Sequence, residues 1–156
     1  MTIRRLTPDE NEMLCVRRDN LEKFLEERMP VLADFMERLG LTNPALVLVE
    51  AESYLPALDT WLKEQVISPD DRIWLLTRVG YFIGEFLVQR LGGYWFLNEA
   101  PDSRYFGHYV VGCFSRAPNS HALVDPFAIA DICVAEPPGR SLADLLARVE
   151  SEFATA

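Results

Sequence analysis

The stretch from Ser68 to Gly93 constrains this chain most, because it carries the signals for both ends of one long helix. Ser68 is a residue type that caps helices, Pro69 fits the first helical turn, and two acidic residues follow near the positive end of the helix dipole. Glycines at positions 92 and 93 supply the stop. The pattern predicts a helix over residues 69–91 whose core-facing residues are Ile73, Leu76, Val79, Ile83, Phe86, Leu87 and Leu91.

The first forty residues also repeat apolar positions with a helical period. Thr7-Pro8-Asp9-Glu10 has the residue types of a capping box, and Gly40 is typical of a helix C-terminus. We predict interruptions near residues 19–20 and at Pro30, because a proline inside a helix removes a backbone hydrogen bond and clashes with the preceding turn. This part is therefore expected to be helical but broken.

Residues 45–55 fit two structures. The run Leu46-Val47-Leu48-Val49 would suit a buried strand, whereas the Asn43-Pro44 start and the acidic residues after the run favour a helix. We predict a helix, with a break or kink at Pro56.

Aromatic residues and closely spaced turns replace the helical period after residue 93. We predict strands over residues 94–97, 106–114 and 121–124, and the short loops between them favour an antiparallel meander. A short helix or turn is expected after Asp125-Pro126, and a capping pattern at Ser141 predicts a last helix that ends near residue 153.

These elements give an α+β fold in a single domain over residues 1–156. Its helical N-terminal half packs on a small antiparallel β-meander, with a C-terminal helix. Gly80 and Gly84 lie one turn apart inside the long helix, where glycine costs up to about 1 kcal/mol relative to alanine. We interpret them as a place where another helix or the sheet packs closely against the backbone.

Composition excludes several classes of function. A net charge of −9 argues against nucleic-acid binding, because phosphate contacts need clustered lysine and arginine. Acidic residues crowd the first forty positions, either as the solvated face of amphipathic helices or as a surface for a basic partner. No secretory pattern and no run long enough to span a bilayer is present, so we expect a cytoplasmic protein without membrane contact.

The sequence predicts no metal site, no cofactor and no catalytic residue. If the last two strands pair with Phe114 opposite His121, then His108 lies six residues further along, roughly 20 Å from His121. The two histidines then share no metal. Cys113, between Gly112 and Phe114 in an apolar strand, is interpreted as a structural thiol rather than a nucleophile.

Five residues are candidates for a binding surface. Glu85 is an acid in an otherwise apolar stretch, either exposed or partly buried. Tyr94 and Tyr109 belong to an aromatic strand region in which alternation sends some rings away from the core. His108 and Asp125 complete the set as titratable groups in the same half of the chain.

Part of the chain resembles small bacterial proteins of unknown function, some of which are immunity-protein-like. The resemblance rests on Gly84-Glu85-Phe86-Leu87, on Leu91-Gly92-Gly93-Tyr94-Trp95 and on the later Asp125-Pro126-Phe127, and it covers roughly residues 70–135. It implies an α+β fold and no known activity, and it assigns no catalytic residue.

The leading hypothesis is a non-enzymatic module that binds another protein, with a homo-oligomer left open. The alternative is a small-molecule-binding or hydrolytic domain that uses Glu85 and Asp125 with a histidine, His108 or His121. A cluster of titratable groups in one cleft would favour the alternative, and an exposed apolar or acidic surface would favour the first.

Overall fold

The computed structural model describes residues 4–118 and 122–154, and it has the expected α+β architecture. The elements are α1 (Pro8–Arg38), a 3-10 turn (Pro44–Leu46), α2 (Val47–Glu64), α3 (Pro69–Leu91), β1 (Tyr94–Leu97), β2 (Tyr109–Gly112), β3 (Leu123–Val124), α4 (Pro126–Ala135) and α5 (Leu142–Ala154). Helix α3 is central: it packs on α1, α2, α4 and the sheet. Within the described ranges, no helix is both long and apolar enough to cross a membrane.

Helix α1 runs unbroken through both predicted interruptions. Its start is the expected capping box, in which Thr7 Oγ1 accepts from Glu10 N and the Glu10 carboxylate accepts from Thr7 N. Pro30 lies inside the helix, at a typical cost of about 3 kcal/mol. The turns beyond it bury Leu32, Phe35 and Met36, and each such side chain contributes about 1.5–3 kcal/mol. Burial therefore outweighs the proline, which is why the predicted break is wrong.

Helix α2 confirms the helical interpretation of most of residues 45–55, but its kink is not at Pro56. The backbone departs from helical geometry at Glu50, with φ −132° and ψ 47°. There the side-chain amide of Gln89, from α3, enters the helix: its oxygen accepts from Ala51 N at 2.7 Å and its nitrogen donates to Val47 O at 3.1 Å. These two bonds replace the backbone bond that would join Ala51 to Val47, and a side chain inserted in this way is a known cause of kinks.

Helix α3 has the predicted bounds, with Ser68 as its cap and Gly92 at φ +73° as its end. Phe86, Ile83 and Trp95 are buried together, as expected, and Leu76 is partly buried. The assignment of Ile73 to the core is wrong, because it is 77% exposed. Buried positions of α3 begin only at Leu75, so Ile73 lies before the packed part of the helix.

The sheet has the order β1-β2-β3 and is antiparallel throughout. Val111 pairs with Val124, the same register as the expected pairing of Phe114 with His121. Strand β2 is shorter than predicted because Gly107 and Cys113, on either side of it, both have positive φ. Cys113 is exposed just beyond the end of the strand, so its predicted placement inside an apolar strand is wrong. His121 lies outside the described residues.

The glycine pair of α3 is explained by two aromatic rings. A Cβ on Gly80 would overlap the ring of Phe127 from α4, and a Cβ on Gly84 would overlap the ring of Trp95 from β1. The expected close approach is confirmed, and it involves both another helix and the sheet. Phe127 and Trp95 belong to one aromatic cluster with Phe24, Tyr81 and Tyr109.

Arg140, just before α5, joins the C-terminal ends of two helices. Its buried guanidinium donates to Leu62 O at 2.5 Å and Gln65 O at 2.8 Å at the end of α2, and to Glu136 O at the end of α4. All three carbonyls lie at the negative ends of the helix dipoles, and Leu62 O also accepts from Gln65 N at 3.3 Å. Ser141 then starts α5 as predicted, accepting from Asp144 N at 3.1 Å.

Candidate functional site

The structure brings two of the predicted site residues into direct contact. Asp125 is the N-cap of α4: its Oδ1 accepts from Phe127 N at 2.9 Å and Ala128 N at 3.3 Å. Its Oδ2 lies 2.6 Å from His108 Nδ1, at the start of β2. Asp125 is buried, whereas the His108 side chain is 45% exposed. The pairing of β2 with β3 places these residues side by side, although they are 17 positions apart in sequence.

The Asp125 carboxylate fixes the orientation of the imidazole. An ionised carboxylate only accepts hydrogen bonds, so the proton between the two groups lies on Nδ1 and Nε2 is left for an outside ligand. A cleft of about 340 Å³ lies here, lined by Arg17, Gly107, His108, Tyr109, Asp125 and Phe127. None of these residues is a serine, threonine or cysteine, so the described cleft holds an oriented imidazole without a nucleophile beside it.

Helix α1 forms the other wall of this cleft. The Arg17 guanidinium donates to Gly107 O, and the Tyr109 hydroxyl donates to Arg17 O at 2.7 Å. Gly107 has φ +77°, and a Cβ there would come within 2.8 Å of Met13 Cε. Glycine thus allows the loop to lie against α1. Sequence reasoning did not identify Arg17, because an arginine in an acidic helix has the pattern of a solvated face.

Glu85 lies elsewhere, in the interior, and is not part of an exposed surface. Its carboxylate is 2.6 Å from Arg28 Nη1 and accepts from Trp95 Nε1 at 3.3 Å. Beside it, burial raises the pKa of Tyr81 to about 12, and the Tyr81 hydroxyl donates to Phe24 O at 3.2 Å. The predicted combination of Glu85 and Asp125 with a histidine is therefore divided: Asp125 meets His108, and Glu85 belongs to a separate ion pair.

The two tyrosines of the predicted surface differ in exposure. Tyr109 is largely engaged: its ring lies 4.4 Å from that of Phe24, and burial raises its pKa. Tyr94 is exposed on β1, and a hydrogen bond with the Cys113 thiol raises its pKa. Of the five predicted residues, only Tyr94 and His108 present substantial exposed area.

No combination of three histidine, cysteine, aspartate or glutamate side chains in the described ranges is arranged to hold a metal ion. The cleft at His108 contains one histidine and one carboxylate, and that carboxylate is already used by the imidazole and by two backbone N–H groups.

A second surface feature, which sequence reasoning missed, lies where α2 ends and α3 begins. We call it the tryptophan groove; its volume is about 380 Å³ and it is lined by Arg38, Trp61, Gln65, Val66, Ile67, Asp71, Trp74 and Leu75. Buried Phe35 meets both indoles edge-on, at 6.1 Å from Trp61 and 5.9 Å from Trp74. Large apolar side chains remain exposed at and beside the groove: Val66 is 83% exposed, Ile73 77% and Trp74 37%.

Two arginines flank Trp74. The Arg78 guanidinium lies 4.0 Å from the centre of the indole, and that of Arg38 lies 5.8 Å from it. Arg38 is paired with Asp34 at 2.8 Å, whereas Arg78 forms no ion pair within the described chain and its buried Nε has no hydrogen-bond partner there. Burial lowers the pKa of Arg78.

Comparison with known proteins identifies no relative of this chain. No protein-family model, no curated protein and no solved structure matches this chain.

Proposed function

We propose that this protein is a non-enzymatic module that binds another protein through the tryptophan groove. The observation that carries the proposal is that Val66 and Trp74, two large apolar side chains left in solvent, line one groove, with exposed Ile73 next to Trp74 in the chain. Single exposed apolar residues are common, but a cluster around a concavity marks an interaction site.

The groove is built from the residue types that dominate binding energy at protein interfaces. Tryptophan and arginine are enriched at such positions because they combine apolar area with a polar or charged tip. Both indoles are already held edge-on by Phe35, so binding costs little side-chain entropy. The groove therefore supplies preformed anchors.

Charge defines the partner further. Arg78 stacks on Trp74 without a carboxylate of its own in the described chain, and Asp71, the acid in the groove lining, is engaged by the Ser68 hydroxyl at 3.0 Å. The partner that fits is a protein segment that inserts an apolar side chain between the indoles and places a carboxylate on Arg78.

The test compares Trp74→Ala with Tyr94→Ala, which removes the exposed aromatic side chain of the sheet. The protein partner is captured with the wild-type chain, identified, and titrated by calorimetry against each variant. Trp74→Ala should weaken binding about 30-fold or more, as expected for a central anchor, and Tyr94→Ala should leave the dissociation constant within about twofold. Circular dichroism checks that both variants fold.

Three outcomes would overturn the proposal. If both substitutions weakened binding of the partner equally, the groove would not be the contact surface. An unchanged affinity of Trp74→Ala for the partner would lead to the same conclusion. A dimer of the purified chain that Trp74→Ala converts to a monomer would make a second copy, not another protein, the occupant.

A further inference from the structure

We infer that the cleft at His108 is a binding site for an organic oxyanion, held between the imidazole Nε2 and the guanidinium of Arg17. This site is separate from the tryptophan groove and does not depend on the function proposed above. The class of ligand follows from three features: an oriented imidazole, an arginine without a carboxylate partner, and an aromatic wall.

The imidazole is the first feature. Asp125 holds Nδ1 at 2.6 Å and is itself fixed by Phe127 N and Ala128 N, so the ring cannot turn without breaking a buried contact. When the ring carries a proton on both nitrogens, Nε2 is also a donor. An anion in the cleft accepts this second N–H and completes the row from carboxylate to imidazolium to oxyanion.

Arg17 is the second feature. One of its terminal nitrogens donates to Gly107 O, which places the guanidinium beside the residue that precedes His108. It forms no salt bridge with any described residue, unlike its neighbour Arg18, which pairs with Glu99. A guanidinium held next to an imidazolium creates local positive charge in a chain whose net charge is −9, and its remaining N–H groups match the two oxygens of a carboxylate or phosphate.

The surroundings add a further cation and an apolar wall. Arg104 stacks on Tyr105 at 4.8 Å, and the Tyr105 ring lies 6.0 Å from that of His108. Phe127 and Tyr109 line the cleft beside the charged groups. The charged and titratable groups of the cleft around His108 are thus Asp125 from α4, Arg17 from α1 and Tyr109 from β2, with the Tyr105 ring beside the imidazole and Arg104 stacked on that ring. Rings next to the cations favour an anion with an apolar body over a bare inorganic ion.

Nuclear magnetic resonance titration of the full chain tests the site with two probes, benzoate and inorganic phosphate. Sodium chloride at equal ionic strength provides the baseline. Benzoate should shift the backbone resonances of residues 107–109, 17 and 127 in a saturable manner, and phosphate should do so more weakly.

Matched variants locate the contact. Arg17→Gln and His108→Gln should each weaken benzoate binding about tenfold, the effect typical of one charge-assisted hydrogen bond. Arg18→Gln, which removes the same charge one position away, should change it less than about twofold. Asp125→Asn retains a capping side chain but removes the charge behind the imidazole, so it should weaken benzoate binding while the protein stays folded.

The inference is overturned if neither probe shifts these resonances beyond the chloride baseline, or if Arg18→Gln weakens binding as much as Arg17→Gln, which would indicate general surface charge. Saturable binding of phosphate with an affinity equal to or higher than that of benzoate would support an oxyanion site. It would contradict the inference that the ligand has an apolar body.

Discussion

Arg28 and Arg140 both place a guanidinium group in the protein interior, but the two groups have different hydrogen-bond partners. Arg28 meets an opposite charge, Glu85, inside a cluster of aromatic rings. Arg140 meets no carboxylate; it donates to three backbone carbonyls at the ends of α2 and α4. The first arrangement places two charges in the interior to satisfy each other, whereas the second uses one charge to bind carbonyl groups at the ends of two helices.

The difference predicts which residue the fold depends on more. Removing Arg140 takes away the donor that joins the carbonyls of Leu62, Gln65 and Glu136 and so separates two helix ends, while removing either member of the Arg28–Glu85 pair leaves one charge. Arg28 keeps about a quarter of its side chain exposed, so water compensates part of that loss.

The largest effect is therefore expected for Arg140→Met, which keeps the length of the side chain but removes every donor. We expect a loss of about 3–5 kcal/mol in the free energy of unfolding, because one buried side chain loses all of its hydrogen bonds to the ends of two helices at once. Denaturant unfolding followed by circular dichroism measures it. Arg148→Met, on the exposed side of α5, is the matched control and should change stability by less than about 0.5 kcal/mol. A smaller loss of stability for Arg140→Met than for Glu85→Gln would show that the fold depends more on the ion pair than on Arg140.

Glu85→Gln should have the second largest effect, about 2 kcal/mol, because Arg28 then remains in a half-buried position without a counter-charge. Replacing both members, as Arg28→Met with Glu85→Met, should recover most of this loss, since an apolar pair of similar volume avoids the desolvation of two ions. The same unfolding assay gives the coupling energy. Full additivity of the two single substitutions would show that the pair is not coupled.

The smallest effect is expected from a change of pH, and it tests the burial of Tyr81 in the aromatic cluster beside Arg28. Burial raises the pKa of Tyr81 to about 12 from an ordinary value of 10.0. The unfolded chain then loses this proton at lower pH than the folded chain, so the contribution of Tyr81 to stability should be constant below about pH 10 and fall between about pH 10 and 12. Up to about 2 kcal/mol is expected from this residue. Cys133, whose pKa burial raises from 9.0 to about 11, contributes between about pH 9 and 11, which overlaps this window. The measured quantity is therefore the difference between wild type and Tyr81→Phe.

Sequence patterns identified the elements whose signals are local. The cap at Ser68 and the stop at Gly92 give α3 its bounds, and Ser141 marks the start of α5, because these residues act on the backbone next to them. The uninterrupted course of α1 through Pro30 and the kink of α2 at Glu50 depend on distant partners, respectively the buried Phe35 layer and Gln89. A pattern along one segment of the sequence carries no information on these contacts with distant residues.

The same distinction applies to the candidate sites. His108 and Asp125 were recognisable as titratable residues, and the hairpin register was predicted correctly, yet their contact also depends on Asp125 capping α4. Arg17 and Trp74 were not found. The packing of three or more elements decides whether an arginine lacks a counter-ion and whether a tryptophan in a helix faces solvent. The apolar spacing around Trp74 would by itself predict that this side chain is buried.

The glutamine that enters α2 limits how this chain can vary or be redesigned. An amide side chain offers one donor and one acceptor on the same carbon, and position 89 uses both on the backbone of another helix. Glutamate lacks the donor and lysine lacks the acceptor, although both suit a helix as well as glutamine does. A substitution chosen for helix propensity would look harmless in α3 and would instead release the first turn of α2. The tolerance of position 89 to mutation is thus set by a segment about forty residues earlier in the chain, so the two positions have to be treated as one unit in any library or design.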